Sequence, residues 1–474
     1  MRASHGWAHV GQQRKREIID AIVSGRATSG PVHAELDLTD RCNIDCYFCN
    51  QMDVRSKQQV ALPHAVRVVD ELVEGGLRSV RLSGGGDPLF HRDILAILDH
   101  LASRKVIVDN VTTNGVALTP EVVERLVRNE AREVVISLNT VDAADYHRMM
   151  QVRPELFDKV LENIRHLLAG RGDRQSPGVV VQFMLDRDTH LRMEEMYALG
   201  RSLGVDRIAI NMILEIPRER IDRDLLLTPV DAERARPHLR RILEADRDAG
   251  LLQIDFAVSG WNEMLQEVRR ELKLDPPDHF PTAPSFREEN GQCFFGWYTT
   301  TVTGTGDMYP CCLLQTPDNK PLGNVLNGSV ASQWNGPGFT QLRDEMREVM
   351  LMGGEVVYRT SKFQAVKRPC VEKNLCWLKN MFFRADEDFY RELGEALEVA
   401  RKREVGWVGP PKKVSRAAEV AVFRHVPVLK VYDAVRLFYL RVHWHLQRLG
   451  RKSSWLLALG SWRRSRSEGP RAKS

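Results

Sequence analysis

The run Cys42-Asn43-Ile44-Asp45-Cys46-Tyr47-Phe48-Cys49 places three thiols within eight residues, with an aromatic pair before the last. Three thiolates on one tight loop can hold three irons of a four-iron cluster and leave the fourth without a protein ligand. An open iron can bind a substrate or a cofactor. A zinc knuckle or a disulfide-bearing loop uses cysteines at similar spacing, so the triad alone does not separate these chemistries.

Glycines follow along the chain. Ser79 to Leu82 reads as a short buried strand and runs into Ser83-Gly84-Gly85-Gly86-Asp87-Pro88-Leu89, where only glycine lets the backbone come very close to a ligand. Val111-Thr112-Thr113-Asn114-Gly115 comes after the apolar run Val106 to Val108, and Val134-Val135-Ile136-Ser137-Leu138-Asn139 comes after another helical segment. Singly these strings are weak, since a triple glycine is most often only a turn. Together they fall in order, each at the C-terminal end of a predicted strand, where barrels and open α/β folds bind ligands.

In that order and spacing the chain resembles the radical SAM superfamily. The resemblance implies that Cys42, Cys46 and Cys49 hold a 4Fe-4S cluster whose open iron binds the amino and carboxylate groups of S-adenosylmethionine (SAM). One electron then breaks a carbon–sulfur bond, and the resulting 5'-deoxyadenosyl radical abstracts hydrogen. The resemblance also implies that Phe48 packs near the adenine and that the Gly84, Gly85, Gly86 and Asp87 backbone orients the methionine end. Asn114, Ser137 and Asn139 would line the cofactor. Asp87 stands where the family usually has Glu, and Asn139 where Asp is common; the amide can still hydrogen-bond, without the charge.

Elements that position these residues alternate between strand and helix. Strands are predicted at His33 to Leu38, Ser79 to Leu82, Val106 to Thr112, Glu133 to Asn139, Val179 to Leu185 and Arg207 to Met212, with helices such as Pro63 to Gly75 and His91 to Ser103 between them. Six such units make a parallel α/β sheet. The resemblance implies a partial (β/α)6 TIM-like barrel, open on one side. Ile208, Ala209, Ile210 and Asn211 either flank the adenine or, for the aliphatic members, fill the barrel core.

Beyond a Pro-rich stretch, Pro276 to Pro284, lie Cys293, Cys311, Cys312, Cys370 and Cys376. Gly306-Asp307-Met308-Tyr309-Pro310-Cys311 follows a hairpin-like stretch, Phe294 to Thr305. This region resembles SPASM, or its shorter relative twitch, a small α+β extension that carries auxiliary 4Fe-4S clusters. A full SPASM domain supplies seven cysteines for two clusters; five imply one. The economical assignment gives it Cys293, Cys311, Cys370 and Cys376, with zinc as the structural alternative. Cys312 is then spare, either a buried inert thiol or the hydrogen donor of an epimerase.

The chain of 474 residues is too long for one ordinary core. The organisation expected is an N-terminal helical extension (1–31), a radical SAM core (32–250), a helical and Pro-rich linker (251–285), the auxiliary cluster domain (286–390) and a basic amphipathic helical tail (391–474). No secretory signal or long apolar run is visible, and eight cysteines without a signal suit a reducing compartment, so a cytoplasmic protein is expected. From Pro410 onward 15 Lys and Arg face 3 Asp and Glu, a charge of +12, which leaves −7 on residues 1 to 409 of a chain whose net is +5. With Trp444, Trp455 and Trp462 interleaved, this tail suits peripheral contact with an anionic membrane. Nucleic acid is a poorer fit, because no recognition fold accompanies the charge.

Three functions remain open. The leading expectation is oxidation or epimerisation of a small polar metabolite, such as a sugar, an aminocyclitol or a lipid-linked glycan precursor, with a flavodoxin- or ferredoxin-type reductant. The second is a maturase that modifies a ribosomally made peptide. The third is an iron–sulfur electron-transfer or scaffold protein with an inactive barrel.

Overall fold

The computed structural model describes residues 7, 10–49, 51, 55–213, 223–256, 260–274, 294–315, 319–352 and 386–405. Cys293, Cys370, Cys376, the Pro-rich stretch and the basic tail from Pro410 lie outside them. Met1–Gly406 form one unit and Trp407–Ser474 another, the second wholly outside the described residues.

Seven strands pair in parallel in chain order: β1 (His33–Leu36), β2 (Ser79–Leu82), β3 (Ile107–Thr113), β4 (Glu133–Asn139), β5 (Gly178–Leu185), β6 (Arg207–Met212) and β7 (Leu252–Asp255). The first six match the predicted strands to within two residues at each end. Alternation in some and short aliphatic runs in others made them legible. On one face Ala34, Leu36, Val80, Leu82, Val134, Ile136, Val181, Phe183, Ile208 and Ile210 are all essentially inaccessible. Burying this face against helices is the main driving force for the layer. The helices are α2 (Leu62–Glu74), α3 (Ile94–Ser103), α4 (Pro120–Arg128), α5 (Ala143–Met150), α6 (Glu155–Arg171), α7 (Met193–Leu203), α8 (Pro229–Ala245) and α9 (Trp261–Glu271). Ile208 and Ile210 therefore belong to the core, whereas Asn211 is half-buried on the opposite face.

The sheet does not close. Instead of meeting β7, the free edge of β1 pairs in parallel with β8 (Thr299–Val302), in register from His33 with Thr299 to Leu36 with Val302. β9 (Asp307–Tyr309) and β10 (Gly323–Asn324) then continue antiparallel. The expected hairpin is real but sits later than Phe294 to Thr305: a short helix α10 (Phe295–Tyr298) precedes it, and its strands are β8 and β9.

A second core lies beside this seam. α1 (Gln12–Ser24), α10, α12 (Pro337–Met352) and α13 (Glu387–Val405) pack around Trp7, Phe294, Tyr298, Phe389 and Leu393. Trp7 meets Phe389 edge-on at 4.6 Å and donates its indole N–H to Asp386, which also pairs with Lys15. The short helix α11 (Val330–Trp334) packs on α2 and α12.

Candidate active site

The cysteine loop leaves the C-terminal end of β1. Its base is closed by antiparallel bonds, Val60 N–H to Leu38 C=O at 2.9 Å and Asp40 N–H to Gln58 C=O at 2.8 Å. Within it, Asp45 and Tyr47 donate their amides to the Met150 and Met149 carbonyls at the end of α5, and the Cys49 amide bonds Cys46 C=O. The Tyr47 hydroxyl donates to Asp186 at 2.7 Å, just past β5, where Arg148 also donates at 2.9 Å. Asp186 is fully buried, and these donors with Thr189 hold its carboxyl below the usual carboxylate range despite burial. The loop's shape is thus fixed by protein contacts to α5 and β5.

The glycine run meets this loop directly. A Cβ on Gly86 would stand 2.0 Å from the Arg41 carbonyl oxygen, and one on Gly85 2.4 Å from an Asp40 oxygen. Gly86 N–H donates to Thr39 C=O and Asp87 N–H to Arg41 C=O, both at 2.9 Å. The sequence suggested close approach to a ligand; in this structure the glycines are required at least by close approach to the cysteine loop.

Asp87 is turned inward. Its carboxylate accepts from the Thr113 hydroxyl at 2.8 Å, the Asn114 amide at 2.7 Å and the Leu89 amide at 2.9 Å. Asn114 in turn donates its side-chain amide to Asn43 at 2.7 Å and reaches Cys42 Sγ at 3.7 Å. The side chain thus joins the end of β2 to the end of β3, and through Asn114 to the first cysteine. Sequence reasoning missed Tyr47, Asp186 and Met150; the aromatic doublet before Cys49 was the visible signal for the first.

Asn139 ends β4 in a left-handed conformation, φ 67°, beside a register shift against β5. Its amide nitrogen lies 3.4 Å from Met150 Sδ, whereas its buried carbonyl oxygen has no hydrogen-bond partner. Met150 Sδ is also 3.6 Å from Cys46 Sγ. Ser137 is half-buried on the face away from the helices, and Phe48 meets Tyr47 edge-on at 5.3 Å. Burial raises the Cys42 thiol to about 11, helped by Asp87, and burial with the neighbouring Cys49 and Cys42 raises Cys46 well above the ordinary thiol value. Thiols in such a setting become thiolates when a metal displaces their protons.

These donors fit an iron–sulfur cluster with an organic ligand: soft sulfurs, an orphaned buried acceptor on Asn139, and a braced loop. Among the described residues no three His, Cys, Asp or Glu side chains converge as ligands of a single ion.

The sheet face opposite the helices is polar. Glu35 pairs with Arg81 at 3.4 Å, Arg81 donates to Thr112 at 3.2 Å, Asn110 donates to Glu133 at 3.0 Å, and Glu133 pairs with Arg207. At the seam Thr301 of β8 donates to Glu35, and Gln315 donates to Asp37 at 3.0 Å. The adjacent cysteines differ here in burial and neighbours. Cys311 has an extended backbone, φ −165° and ψ 162°. Cys311 is buried in the second core with Phe294 and Leu314; Cys312, partly exposed, packs against the same core, and its thiol feels Glu35, Arg81 and Asp37.

An unclosed parallel α/β sheet with a braced three-thiol loop at its mouth is the arrangement that an iron–sulfur enzyme of the partial-barrel class would need. Residues 36–200 match the model of the radical SAM superfamily and residues 293–352 that of the SPASM iron-sulfur cluster-binding domain. The chain is a radical SAM enzyme with a C-terminal SPASM domain, whose cofactors are SAM, a 4Fe-4S cluster and auxiliary iron–sulfur clusters. It is 25% identical over 309 residues to the antilisterial bacteriocin subtilosin biosynthesis protein AlbA of Bacillus subtilis, covering 65% of this chain and 60% of that protein. Identity is 25% over 321 residues to a PqqA peptide cyclase of Gluconobacter oxydans, with coverages of 66% and 80%. It is 24% over 324 residues to the AdoMet-dependent heme synthase of Methanosarcina barkeri, with coverages of 67% and 86%. Among solved structures, Streptococcus suis SuiB bound to its precursor peptide SuiA shares the fold, with a TM-score of 0.52 at 17% identity over 70% of this chain and 71% of that one.

Proposed function

We propose that this enzyme modifies a ribosomally made peptide. The observation that carries the reading is the likeness to a PqqA peptide cyclase along two thirds of this chain. It displaces the small polar metabolite as the leading expectation. In this reading Cys42, Cys46 and Cys49 hold the cluster, which with SAM supplies the 5'-deoxyadenosyl radical. Phe48, the Gly84–Asp87 backbone, Asn114, Ser137 and Asn139 position SAM. Cys311, with Cys293, Cys370 and Cys376, holds an auxiliary cluster, an assignment supported by the burial of Cys311 beside Phe294. A flavodoxin- or ferredoxin-type protein delivers the electron.

The test is co-expression with short peptides encoded beside the gene, followed by mass and chirality analysis. A peptide that loses hydrogen pairs or gains D-residues only with intact Cys42, Cys46 and Cys49 supports the reading. Unaltered peptides, together with 5'-deoxyadenosine formed on addition of a sugar or an aminocyclitol, overturn it.

Epimerisation is a second reading, favoured by the Cys312 thiol beside Glu35. After hydrogen leaves one face of a carbon, the Cys312 S–H bond supplies a hydrogen atom to the other, and one electron and one proton from the reductant and solvent restore the thiol. Cys312→Ala then abolishes epimer formation while SAM cleavage continues. Full turnover by the variant rejects that role. No described helix is long and apolar enough to cross a membrane; a cytoplasmic enzyme whose basic tail touches anionic lipid remains part of the proposal, tested by liposome flotation of the full chain.

A further inference from the structure

Tyr146 lies on α5, fully buried, with its ring tilted against Phe157 at a centroid distance of 5.6 Å. Its hydroxyl is buried and has no hydrogen-bond partner. Buried hydroxyls are ordinarily paired, and an exception calls for an explanation. Tyr146 stands one helical turn before Met150 on the same face of α5, and Met150 Sδ lies 3.6 Å from Cys46 Sγ, so this face of the helix meets the cysteine loop; Cys46, Asp87 and Cys42 are the charges nearest the hydroxyl. Asp87 is already engaged by Thr113, Asn114 and Leu89. No described group of the protein accepts from this hydroxyl, and a cluster bound where Met150 adjoins Cys46 and Asn114 reaches Cys42 would bring sulfur to that side.

We propose that Tyr146 donates its hydroxyl hydrogen to a sulfur of the cluster held by Cys42, Cys46 and Cys49 and thereby raises that cluster's reduction potential. The inference rests on the ligand assignment proposed above. A hydrogen bond to sulfur withdraws charge and favours the reduced state, so the potential follows the number and strength of such bonds. With Asn114 near Cys42 and Tyr146 one turn from Met150, which adjoins Cys46, donors serve two of the three cysteines and the cluster becomes easier to reduce. Tyr146 is a positioning and tuning residue in this scheme; it does not touch the reacting carbon.

The measurement is an anaerobic redox titration of the reconstituted full-length protein, following the electron paramagnetic resonance signal that is lost in Cys42→Ala/Cys46→Ala/Cys49→Ala. Tyr146→Phe keeps the ring and removes the donor. At a fixed potential its oxidised-to-reduced ratio is expected to rise about tenfold, which for one electron is a shift of about 59 mV downward. Placing 3-fluorotyrosine at position 146, a stronger donor of nearly the same shape, is expected to shift the potential upward, and this holds as a test even where the Phe variant loads iron poorly. A signal present in both proteins at the wild-type potential overturns the inference alone. A wild-type protein without any signal dependent on the three cysteines overturns the ligand assignment and the inference with it.

Discussion

The Asn114 backbone N–H donates to the Asp87 carboxylate at 2.7 Å, and the Asn114 side chain continues to Asn43 and Cys42. One buried carboxylate thus sets where the end of β3 stands against the first cysteine. Asp87→Ala leaves the Thr113 hydroxyl and two backbone amides without their acceptor, at a cost of roughly 3 kcal/mol or more. Asp87→Glu restores the commoner family residue but adds a methylene to a filled site, for about 1–3 kcal/mol. Denaturant unfolding and iron counts after reconstitution should rank wild type above Glu and Glu above Ala. Equal iron retention in all three would refute the coupling to Cys42.

The Tyr47 hydroxyl bonded to buried Asp186 anchors the other end of the loop. Tyr47→Phe removes one charge-assisted bond and leaves Arg148 and Thr189 on the carboxylate, so the expected loss is about 1–3 kcal/mol. The effect should appear as faster removal of iron by a chelator. Because Asp186 is held below its ordinary range, its contribution is present above the unfolded carboxylate pKa and is lost as pH falls through the folded value. Iron release from the variant should therefore begin at higher pH than from wild type.

The six parallel strands were legible because β1, β2 and β6 alternate a helix-facing aliphatic residue with a polar or small one and β3, β4 and β5 carry short aliphatic runs, and the triad and glycine run were legible as spacing. What the glycines touch was not. Gly85 and Gly86 are small because Asp40 and Arg41, more than forty residues earlier, pass against them. Nor does Thr299–Val302 announce that it pairs with β1, more than 260 residues away, since four threonine-rich residues suit many sheet edges. The difference in burial between Cys311 and Cys312 comes from how the chain packs after β9, which spacing does not encode. Cys370 and Cys376 fall outside the described residues.

Gly86→Ala should be among the most damaging single substitutions, because the clash is with backbone: Arg41 must move or the loop must open. A loss of about 4 kcal/mol or more marks such backbone conflicts. Gly394→Ala, in helix α13 with nothing within 4 Å of the new Cβ, should instead stabilise by about 0.5–1 kcal/mol. Thermal unfolding of the two variants provides the comparison, and a mild Gly86→Ala would mean that the two loops separate easily.

At the seam, Asp37 is raised to about 7, first by burial and then by neighbouring Glu35; Gln315 and Arg81 oppose the rise, and Asp40 adds to it. One of its oxygens, Oδ1, is buried without a partner. The native state therefore keeps a proton that the unfolded chain releases at ordinary carboxylate pH. Between those two values the unfolded state binds fewer protons, so stability from this group falls as pH rises toward 7 and reaches its lowest level above it. Asp37→Asn cannot ionise and can still accept the Gln315 bond through its amide oxygen. The variant should match wild type near pH 4 and exceed it by a few kcal/mol, to order of magnitude, at pH 8. Denaturant midpoints across that range test the sign: parallel curves would mean that Asp37 titrates normally, and a variant weaker at high pH would mean that its charge is paired in the folded protein. If Asp37 serves the substrate at this seam, the stabilised variant should also lose turnover, the exchange expected when a buried group is kept for function rather than for stability.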